Sequence, residues 1–299
     1  MSASTVLHVL FALAAAPLLP ALINRVKARA AGRRGQPLLQ PYYDLARLLQ
    51  KGAIYGTGTT WLLRAAPVVG LAAVATALLV VPFAGAPGVI SFPGDIVLFA
   101  YLLALARAVT VLGALDTGSS FEGMGASREA TFGALAEPAL LLALAAVAML
   151  VGGTSLSTVV HPRASVDSAT ALLVLGALAV VFLTENARIP VDDPNTHLEL
   201  TMVHEVMVLD HGGPDLAFIH YASALKMWAL AALIVGLVVP QPAGPPAIAF
   251  VLALGGMAGV AIATGAIESV IGRLRMSAVP QFVLSGTVLA AVALVLELR

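Results

Sequence analysis

The fold is decided where an apolar stretch gives way to a polar one. Residues 168–184 read SATALLVLGALAVVFLT, whereas residues 185–215 read ENARIPVDDPNTHLELTMVHEVMVLDHGGPD and hold eight charged side chains and three histidines. An ionised side chain inside a bilayer costs several kcal/mol, roughly 2.5–3.5 on insertion scales, and is kept mostly where it serves a pathway or a partner. The apolar stretch therefore predicts a membrane span, and the polar island after it is the first place to look for function.

The whole chain has the composition of a helical membrane protein. Of its 299 residues, 60% are hydrophobic and 11% are charged. Several apolar runs reach the roughly 20 residues that cross a hydrocarbon core of about 30 Å. The short alternating segments typical of membrane barrels do not occur. We therefore predict an all-α polytopic membrane protein in which residues 1–299 form a single integral membrane domain.

The chain contains no cysteine, which excludes disulfides, thiolate metal sites and cysteine-ligated iron–sulfur clusters within it. The residues before the first apolar run carry no Lys or Arg, so we expect that run to be a retained helix rather than a signal peptide. Hydropathy predicts eight transmembrane helices, which cover residues 4–23, 65–84, 95–115, 131–151, 168–184, 216–239, 247–267 and 278–297.

Basic residues are distributed unevenly between alternate loops. The opposite loops and the chain end hold only Arg163 and Arg299. The positive-inside rule then places both termini outside and the large loops in the cytoplasm. Twelve of the 16 Lys and Arg residues lie in the loops assigned to the cytoplasm, which are residues 24–64, 116–130, 185–215 and 268–277.

The first of these loops contains a segment, residues 41–51, that can form a short amphipathic helix. Its leucines share one face, and Arg47 and Lys51 share another, which suits a helix lying along the membrane interface. We expect such short interfacial helices within the large cytoplasmic loops. Loops 24–64 and 185–215 are too long for simple turns, and we expect them to dock a partner.

The polar island divides into an irregular part and a predicted helix. Pro190 and Pro194 disfavour a helix through residues 187–193. A polar cap at Asn195 or Thr196 can then start a helix that runs to about Leu209, before the Gly-Gly-Pro at 212–214.

Three histidines of the island, His197, His204 and His211, lie close to one face of that predicted helix. They form either a proton-conducting or metal-binding stripe, or a set of side chains that satisfy local hydrogen bonds or meet a partner. No carboxylate and histidine have a recognised metal spacing, because Val208 interrupts a His-Glu-x-x-His pattern. No metal site is predicted.

A few ionisable side chains lie within or at the edge of predicted spans. A charge at a helix end often extends to the interface, and this interpretation fits Arg107. Glu137 and Lys226 lie several residues inside apolar sequence, and such groups can supply a proton path through a bilayer. The glycine-rich loop 116–130 lacks the phosphate-binding pattern, so the chain is not expected to bind nucleotide.

Several motifs resemble one family. The run Leu39-Gln-Pro, with Asp44, Arg47 and Lys51 following, resembles the first cytoplasmic loop of the complex I membrane subunit that forms the roof of the quinone chamber. That loop reads Leu-Gln-Pro-x-x-Asp-x-x-Lys-x-x-x-Lys-Glu. Here Arg47 replaces the first Lys, and Gly52 stands in the place of the Glu.

Three further elements carry the same resemblance. Arg128 and Glu137 are similar to the family's Leu-Arg-Ala-Ser-…-Tyr-Glu element. Residues 185–192, ENARIPVD, are similar to its Glu-Thr-Asn-Arg-Ala-Pro-Phe-Asp, and Glu199 lies at the family spacing from Glu185. Glu205 does not align with the next family carboxylate.

Residues 197–205, together with Arg273 and Arg275, resemble more specifically the branch of group 4 membrane-bound hydrogenases and formate hydrogenlyase, whose membrane component is of the hydrogenase-4 component C type. The resemblance implies a membrane-anchoring, proton-coupling subunit with no catalytic centre of its own, in a prokaryotic cytoplasmic (inner) membrane with the soluble arm on the cytoplasmic side. It implies no cofactor in this chain. The partners that it implies are a [NiFe]-hydrogenase-type large subunit, an iron–sulfur small subunit and antiporter-like membrane subunits, with the nickel–iron centre and iron–sulfur clusters in the soluble partners.

The charged positions and the resemblance together predict roles for particular residues. The expected proton pathway consists of Glu137, Glu185, Glu199, Glu268 and Lys226. The expected docking and coupling residues are Arg34, Asp44, Arg47, Lys51, Arg128, Arg188 and Asp192.

Two other functions stay open at this point. One is the quinone-chamber subunit of a complex I-type oxidoreductase, in which a quinone would enter near the first loop and loop 116–130. The other is a stand-alone secondary transporter that uses the same carboxylates. The absence of internal repeats and the length of the cytoplasmic loops disfavour the transporter.

Overall fold

The protein is described by a computed structural model, which covers residues 3–160, 168–192, 202–239 and 245–298. All regular elements in these ranges are helices, apart from a single bridge between Phe83 and Ala86. The α-helices are α1 (Ala3–Ala15), α2 (Leu18–Ala30), α3 (Gln40–Leu49), α4 (Trp61–Val80), α5 (Asp95–Asp116), α6 (Ser120–Val151), α7 (Leu156–Val159), α8 (Ser168–Glu185), α9 (Gly213–Val238), α10 (Pro246–Val270) and α11 (Val279–Glu297).

Six of the described helices are long and apolar enough to cross a membrane, namely α4, α5, α6, α9, α10 and α11. The α1–α2 pair passes the same test as a unit, although its two halves are bent by 45°. Helix α8 is apolar but shorter, over Ala169–Glu185. The structure thus confirms a polytopic helical membrane protein, while the number eight and the side of the termini stay predictions.

The sequence predicts one continuous span over residues 4–23, and the structure shows two helices there instead. Helix α1 ends at Ala15, and α2 starts again after Pro17 and continues to Ala30. Proline lacks the N–H that would continue the helical ladder, so it breaks the run at this point. As a result, the basic loop begins several residues later than residue 24, and Lys27 belongs to a helix.

The predicted loop 116–130 is also wrong, because α6 already begins at Ser120. The added turns are stabilised by tertiary packing rather than by an apolar sequence: Ala126 is fully buried in a small cluster with Met207 and Val208. A Cβ at position 125 would collide with the Val206 side chain, so Gly125 permits this close approach. Tertiary contacts therefore extend the helix beyond its apolar part.

The bundle is held together by small residues at helix crossings. Helix α11 packs against α6 and α8, α4 packs against α5 and α9, and α10 packs against α2. Most fully buried positions of the main core are Ala, Val or Leu. Small residues at crossings let membrane helices approach closely, and dispersion contacts then stabilise the bundle.

One end of the bundle, which we call the α3 end, gathers the polar connections. Helix α3 packs on α2 and α9, and the Tyr42 hydroxyl donates a hydrogen bond to the Ala14 carbonyl. Gly213 has a φ of +54° and lies against the backbone carbonyls of Lys51 and Gly52. A side chain there would be strained and would also collide, so glycine is required for this contact.

The helix predicted up to Leu209 is only partly testable, since residues 193–201 lie outside the described ranges. Within the described part, the chain forms a 3-10 helix at Glu205–Val208 instead of a continuing α-helix. The Asp192 carboxylate accepts the backbone N–H groups of Val203 and His204, at 3.0 and 3.2 Å. The Asp192 carboxylate thus satisfies two backbone N–H groups that would otherwise donate to carbonyls within the longer α-helix.

Candidate functional site

A buried guanidinium joins three helices in the middle of the bundle. Arg107 of α5 donates to Glu137 of α6 at 2.5 Å and to Glu185 of α8 at 3.1 Å. Lys226 of α9 lies 3.5 Å from the other oxygen of Glu185. We call these four residues the Arg107 cluster. Two cations and two carboxylates balance one another, which lowers the cost of holding them in an apolar bundle.

Gly133 makes room for the centre of this cluster. A Cβ at position 133 would collide with Nη1 of Arg107 and lie only 2.5 Å from its Cζ. The guanidinium therefore lies directly against the α6 backbone. Glu129, Gly133 and Glu137 are spaced by four residues and share one face of α6, so the guanidinium occupies the site between two carboxylate-bearing turns.

Two small cavities adjoin the Arg107 cluster. An inner cavity of about 50 Å³ is lined by Arg107, Glu129, His204 and Lys226 together with apolar residues of α4, α5 and α9. A second cavity of about 10 Å³ is lined by Arg107, Glu129, Glu185 and Asp192, among others. One water needs roughly 10–15 Å³ of such space. The inner cavity therefore has room for several water molecules, and the second is close to the size of one.

A second group of charges lies between α2 and α10. Glu268 is 2.8 Å from Lys27 and 3.6 Å from Arg188, and its side chain is fully shielded from solvent. We call these three residues the Glu268 cluster. It connects α10 to α2 and to the segment after α8, and so fixes the relative position of three parts of the chain.

Asp192 organises the polar connections at the α3 end. One of its oxygens binds the backbone at positions 203 and 204, and the other lies 3.0 Å from Arg273 in the connection between α10 and α11. Arg128 of α6 donates to the carbonyl of Met202 at 2.9 Å. The segment that carries His204 is thus held from two sides.

A large cavity opens beneath α3, and we call it the vestibule. Its volume is about 570 Å³. Its polar lining combines both predicted docking loops, with Asp44, Arg47 and Lys51 from the first loop and Arg188, Asp192, His204 and Glu205 from the second. His220 of α9 completes one wall. His204 is therefore shared by the vestibule and the inner cavity.

Burial changes the protonation of two histidines outside the spans. Burial, the charge of Lys226 and the neighbouring His220 together lower the pKa of His204 to about 3, against the opposing effect of Glu185. Burial also lowers the pKa of His211, although Asp215 and Asp210 act in the opposite direction. Both rings are therefore neutral at physiological pH. Among the described residues, no group of three or more His, Asp or Glu side chains is arranged to bind a metal.

The structure brings some predicted site residues together and separates others. Glu137, Glu185 and Lys226 meet in the Arg107 cluster, while Glu268 belongs to the second cluster. Glu199 lies outside the described residues. Arg34 is exposed and does not line the vestibule, unlike Arg47. Whether these residues carry protons or dock a partner stays a prediction.

Three residues of the site escape prediction from the sequence. The position of Arg107 predicts a charge that extends to the interface, yet its side chain is only 8% exposed and binds two carboxylates. Glu129 falls in a predicted loop and Lys27 in a predicted basic loop, so neither stands out. A signal exists for Glu129, since it precedes Gly133 and Glu137 at helical spacing. No pattern in the sequence pairs Lys27 with Glu268.

The fold and the site define a polytopic membrane subunit whose bundle encloses paired charges beside a polar vestibule. The family model named NADH dehydrogenase matches residues 3–298. The chain belongs to this family of complex I-type membrane subunits, which confirms the resemblance seen in the motifs.

Two relatives from Escherichia coli (strain K12) point to one branch of the family. Formate hydrogenlyase subunit 4 is 31% identical over 297 residues, covering 96% of this chain and 95% of its own length. Hydrogenase-4 component C is 33% identical over 248 residues, covering 78% and 76%. A chain of the membrane-bound sulfane sulfur reductase, an archaeal respiratory membrane complex, has a TM-score of 0.84 at 20% identity and 98% coverage of both chains, which shows the shared fold.

Proposed function

We propose that this chain is the membrane-anchoring, proton-coupling subunit of a group 4 hydrogenase or formate hydrogenlyase complex. It links redox chemistry in a soluble arm to ion translocation across a prokaryotic cytoplasmic membrane. The observation that carries the proposal is the position of His204, which lines both the vestibule beneath α3 and the inner cavity next to the Arg107 cluster. The end-to-end similarity to formate hydrogenlyase subunit 4 supports this branch.

The proposed topology has eight spans, with both termini outside and the α3 end in the cytoplasm. Six described helices and the α1–α2 pair have the length and composition of spans, and the apolar α8 supplies the eighth. The charge asymmetry of the loops supports the orientation. In this arrangement the vestibule faces the cytoplasm, where a soluble arm can reach it.

The proposed partners are a [NiFe]-type large subunit, an iron–sulfur small subunit and antiporter-like membrane subunits. The nickel–iron centre and the iron–sulfur clusters belong to the soluble partners. The docking surface consists of the first loop and the segment after α8, with Asp44, Arg47, Lys51, Arg188 and Asp192 around the vestibule. Arg34 extends this surface, and Arg128 holds its floor through the Met202 carbonyl.

The proposed proton pathway runs through the buried acids. Glu185 and Glu137 share Arg107, and Lys226 stands on the far side of Glu185. A change of charge or position at the docked arm alters the balance of such a cluster, because Coulomb energies grow as the local dielectric falls. Glu199 is proposed to belong to the same pathway, as its spacing in the family pattern implies.

One observation favours a second candidate, the quinone-chamber subunit of a complex I-type oxidoreductase. The vestibule lies beside the first loop and is large enough for a small ligand, since typical ligand sites measure roughly 300–1,000 Å³. Its lining is rich in charged residues, which suits a protein or water interface better than a quinone ring.

The composition of the purified complex tests both candidates. The chain is tagged in its natural host, extracted in mild detergent, and assayed for nickel, iron and extractable quinone per chain. Untagged membranes serve as the control. We expect nickel and iron in fixed ratio to the chain without stoichiometric quinone. Quinone without nickel would favour the second candidate, and a chain purified without any partner would contradict both.

A further inference from the structure

Three cavities follow one another from the α3 end into the bundle. The vestibule measures about 570 Å³, the inner cavity about 50 Å³ and the second small cavity about 10 Å³. Consecutive cavities share lining residues. His204 lines both the vestibule and the inner cavity, and Glu129 lines both the inner cavity and the small one.

Glu129 occupies a position from which it reaches the Arg107 cluster without belonging to its ion pairs. It lies one turn before Gly133 on the α6 face that carries Glu137. Its charge interacts with those of Lys226, Glu185 and Arg107. A carboxylate in this place can accept a proton and release it towards Glu185, while the nearby cations stabilise its ionised form.

His204 lines both the vestibule and the inner cavity, and its backbone is held in place there. Its backbone N–H donates to Asp192, and Asp192 is fixed in turn by Arg273. The groups that act on the ring are Lys226, His220 and Glu185. A neutral imidazole has one nitrogen that accepts a proton and one that donates, so it can take a proton on one side and release another on the opposite side.

We propose that His204 and Glu129 form a proton relay between the vestibule and the Arg107 cluster. One ring nitrogen of His204 accepts a proton from vestibule water while the other releases its proton, through water in the inner cavity, to the Glu129 carboxylate. Glu129 then passes the proton to Glu185. The relay moves protons and no electrons. This inference rests on the proposed function, to which it adds the residues by which protons enter the buried acids.

The test uses inverted membrane vesicles that contain the whole complex. Reduced methyl viologen drives hydrogen evolution by the soluble arm, and a lumenal pH dye reports proton movement per hydrogen formed. Proton transfer by a positioned side chain contributes roughly 10²–10⁴-fold, so Glu129→Gln and His204→Gln should each lower this ratio at least tenfold, while the rate of hydrogen evolution stays within twofold. The proton-to-hydrogen ratio of the double variant should be no lower than that of the more impaired single variant, because both residues act in series.

Two substitutions serve as matched controls. Glu122→Gln removes another buried carboxylate of α6, one that accepts the Asp210 N–H and lies outside the relay. His211→Gln removes another buried histidine, one that lines neither the vestibule nor the inner cavity. Both should keep the wild-type ratio.

The outcomes separate the relay from the function on which it rests. Wild-type vesicles without a nickel-containing subunit or without proton movement would contradict the proposed function. If the wild type moves protons and either relay variant does so equally well, or if the controls lose as much as the relay variants, the relay is wrong.

Discussion

The Arg107 cluster and the Glu268 cluster are built from the same kinds of residues, yet their surroundings differ. In the Arg107 cluster, Arg107 and Lys226 line the inner cavity, and Glu137 is 43% exposed. In the Glu268 cluster the carboxylate is fully shielded from solvent and is paired with two cations. Neither Glu268 nor Lys27 lines any of the cavities described above.

This difference separates a site that can exchange protons from a site that fixes helices. A proton needs a neighbouring acceptor or water, and the inner cavity and Glu129 provide both to the Arg107 cluster. The Glu268 carboxylate lies between two cations, of which only Arg188 lines the vestibule. We therefore assign the Glu268 cluster a mainly structural role in holding α10 to α2, although the sequence predicts a proton-pathway role for Glu268.

The largest effect is expected for Glu268→Gln. Removal of one partner from a buried ion pair costs roughly 3–5 kcal/mol, because the remaining charge stays buried. Thermal unfolding in detergent should show a clear loss of stability. In the Lys27→Met/Glu268→Gln double variant the loss should be smaller than the sum of the single losses. A single variant as stable as the wild type would contradict the structural role.

A somewhat smaller effect is expected for Gly133→Ala. The new methyl group collides with the Arg107 guanidinium, so the guanidinium must shift away from the α6 backbone and its contacts with Glu137 and Glu185 are distorted. Overpacking of this kind costs roughly 1–3 kcal/mol, and the distorted contacts with both carboxylates place the variant at the upper end of that range. The midpoint of thermal unfolding measures the cost.

Gly123→Ala is the matched control for that substitution. It lies on the same helix, and a Cβ there meets no atom within 4 Å. Alanine favours a helix over glycine by up to about 1 kcal/mol, so the control should be as stable as the wild type or more so. Equal losses in both variants would mean that the guanidinium does not depend on Gly133.

The sequence predicts the helical spans well because each requires about 20 apolar residues, a signal that is local in the chain. It fails at Pro17, where a proline divides one span into two helices, and at Ser120, where packing against Val206 and Met207 extends a helix through polar sequence. Both failures arise from contacts or breaks that hydropathy does not measure.

The sequence identifies several residues of the site, but it does not show which of them form ion pairs with each other. Glu137 and Lys226 stand out because a charge in an apolar run is conspicuous. Arg107 does not stand out, although it pairs with Glu137 and Glu185, and Glu185 in turn pairs with Lys226, so the cluster joins residues of four different helices. The sequence gives no sign that position 133 requires glycine, because only the structure shows that the Arg107 side chain lies against it.

A pH-dependent effect is expected at His204. Its pKa is near 3 in the folded chain and near 6.5 when unfolded. Below pH 6.5 the unfolded state binds a proton that the folded state does not, so stability falls with falling pH down to about 3. At roughly 1.4 kcal/mol per pH unit, the loss reaches about 2 kcal/mol at pH 5.

The comparison of His204→Gln with the wild type isolates this contribution to stability. Unfolding is followed at pH 7, 6 and 5, and the variant should lose less stability than the wild type over that range. His211 is buried as well and contributes in the same direction in both proteins. Parallel stability profiles of the variant and the wild type would show that the pKa of His204 is not lowered in the folded chain.

The smallest effect on stability is expected for Glu137→Gln. Its side chain is 43% exposed, whereas that of Glu185 is 5% exposed, and partly exposed ion pairs contribute about 0–1 kcal/mol. A glutamine still offers Arg107 an oxygen acceptor. Glu185→Gln leaves both Arg107 and Lys226 without their shared buried carboxylate, so it should cost more. If thermal unfolding shows equal losses for the two variants, the cluster is uniformly buried inside the bilayer, and the exposed edge through which Glu137 would exchange protons does not exist.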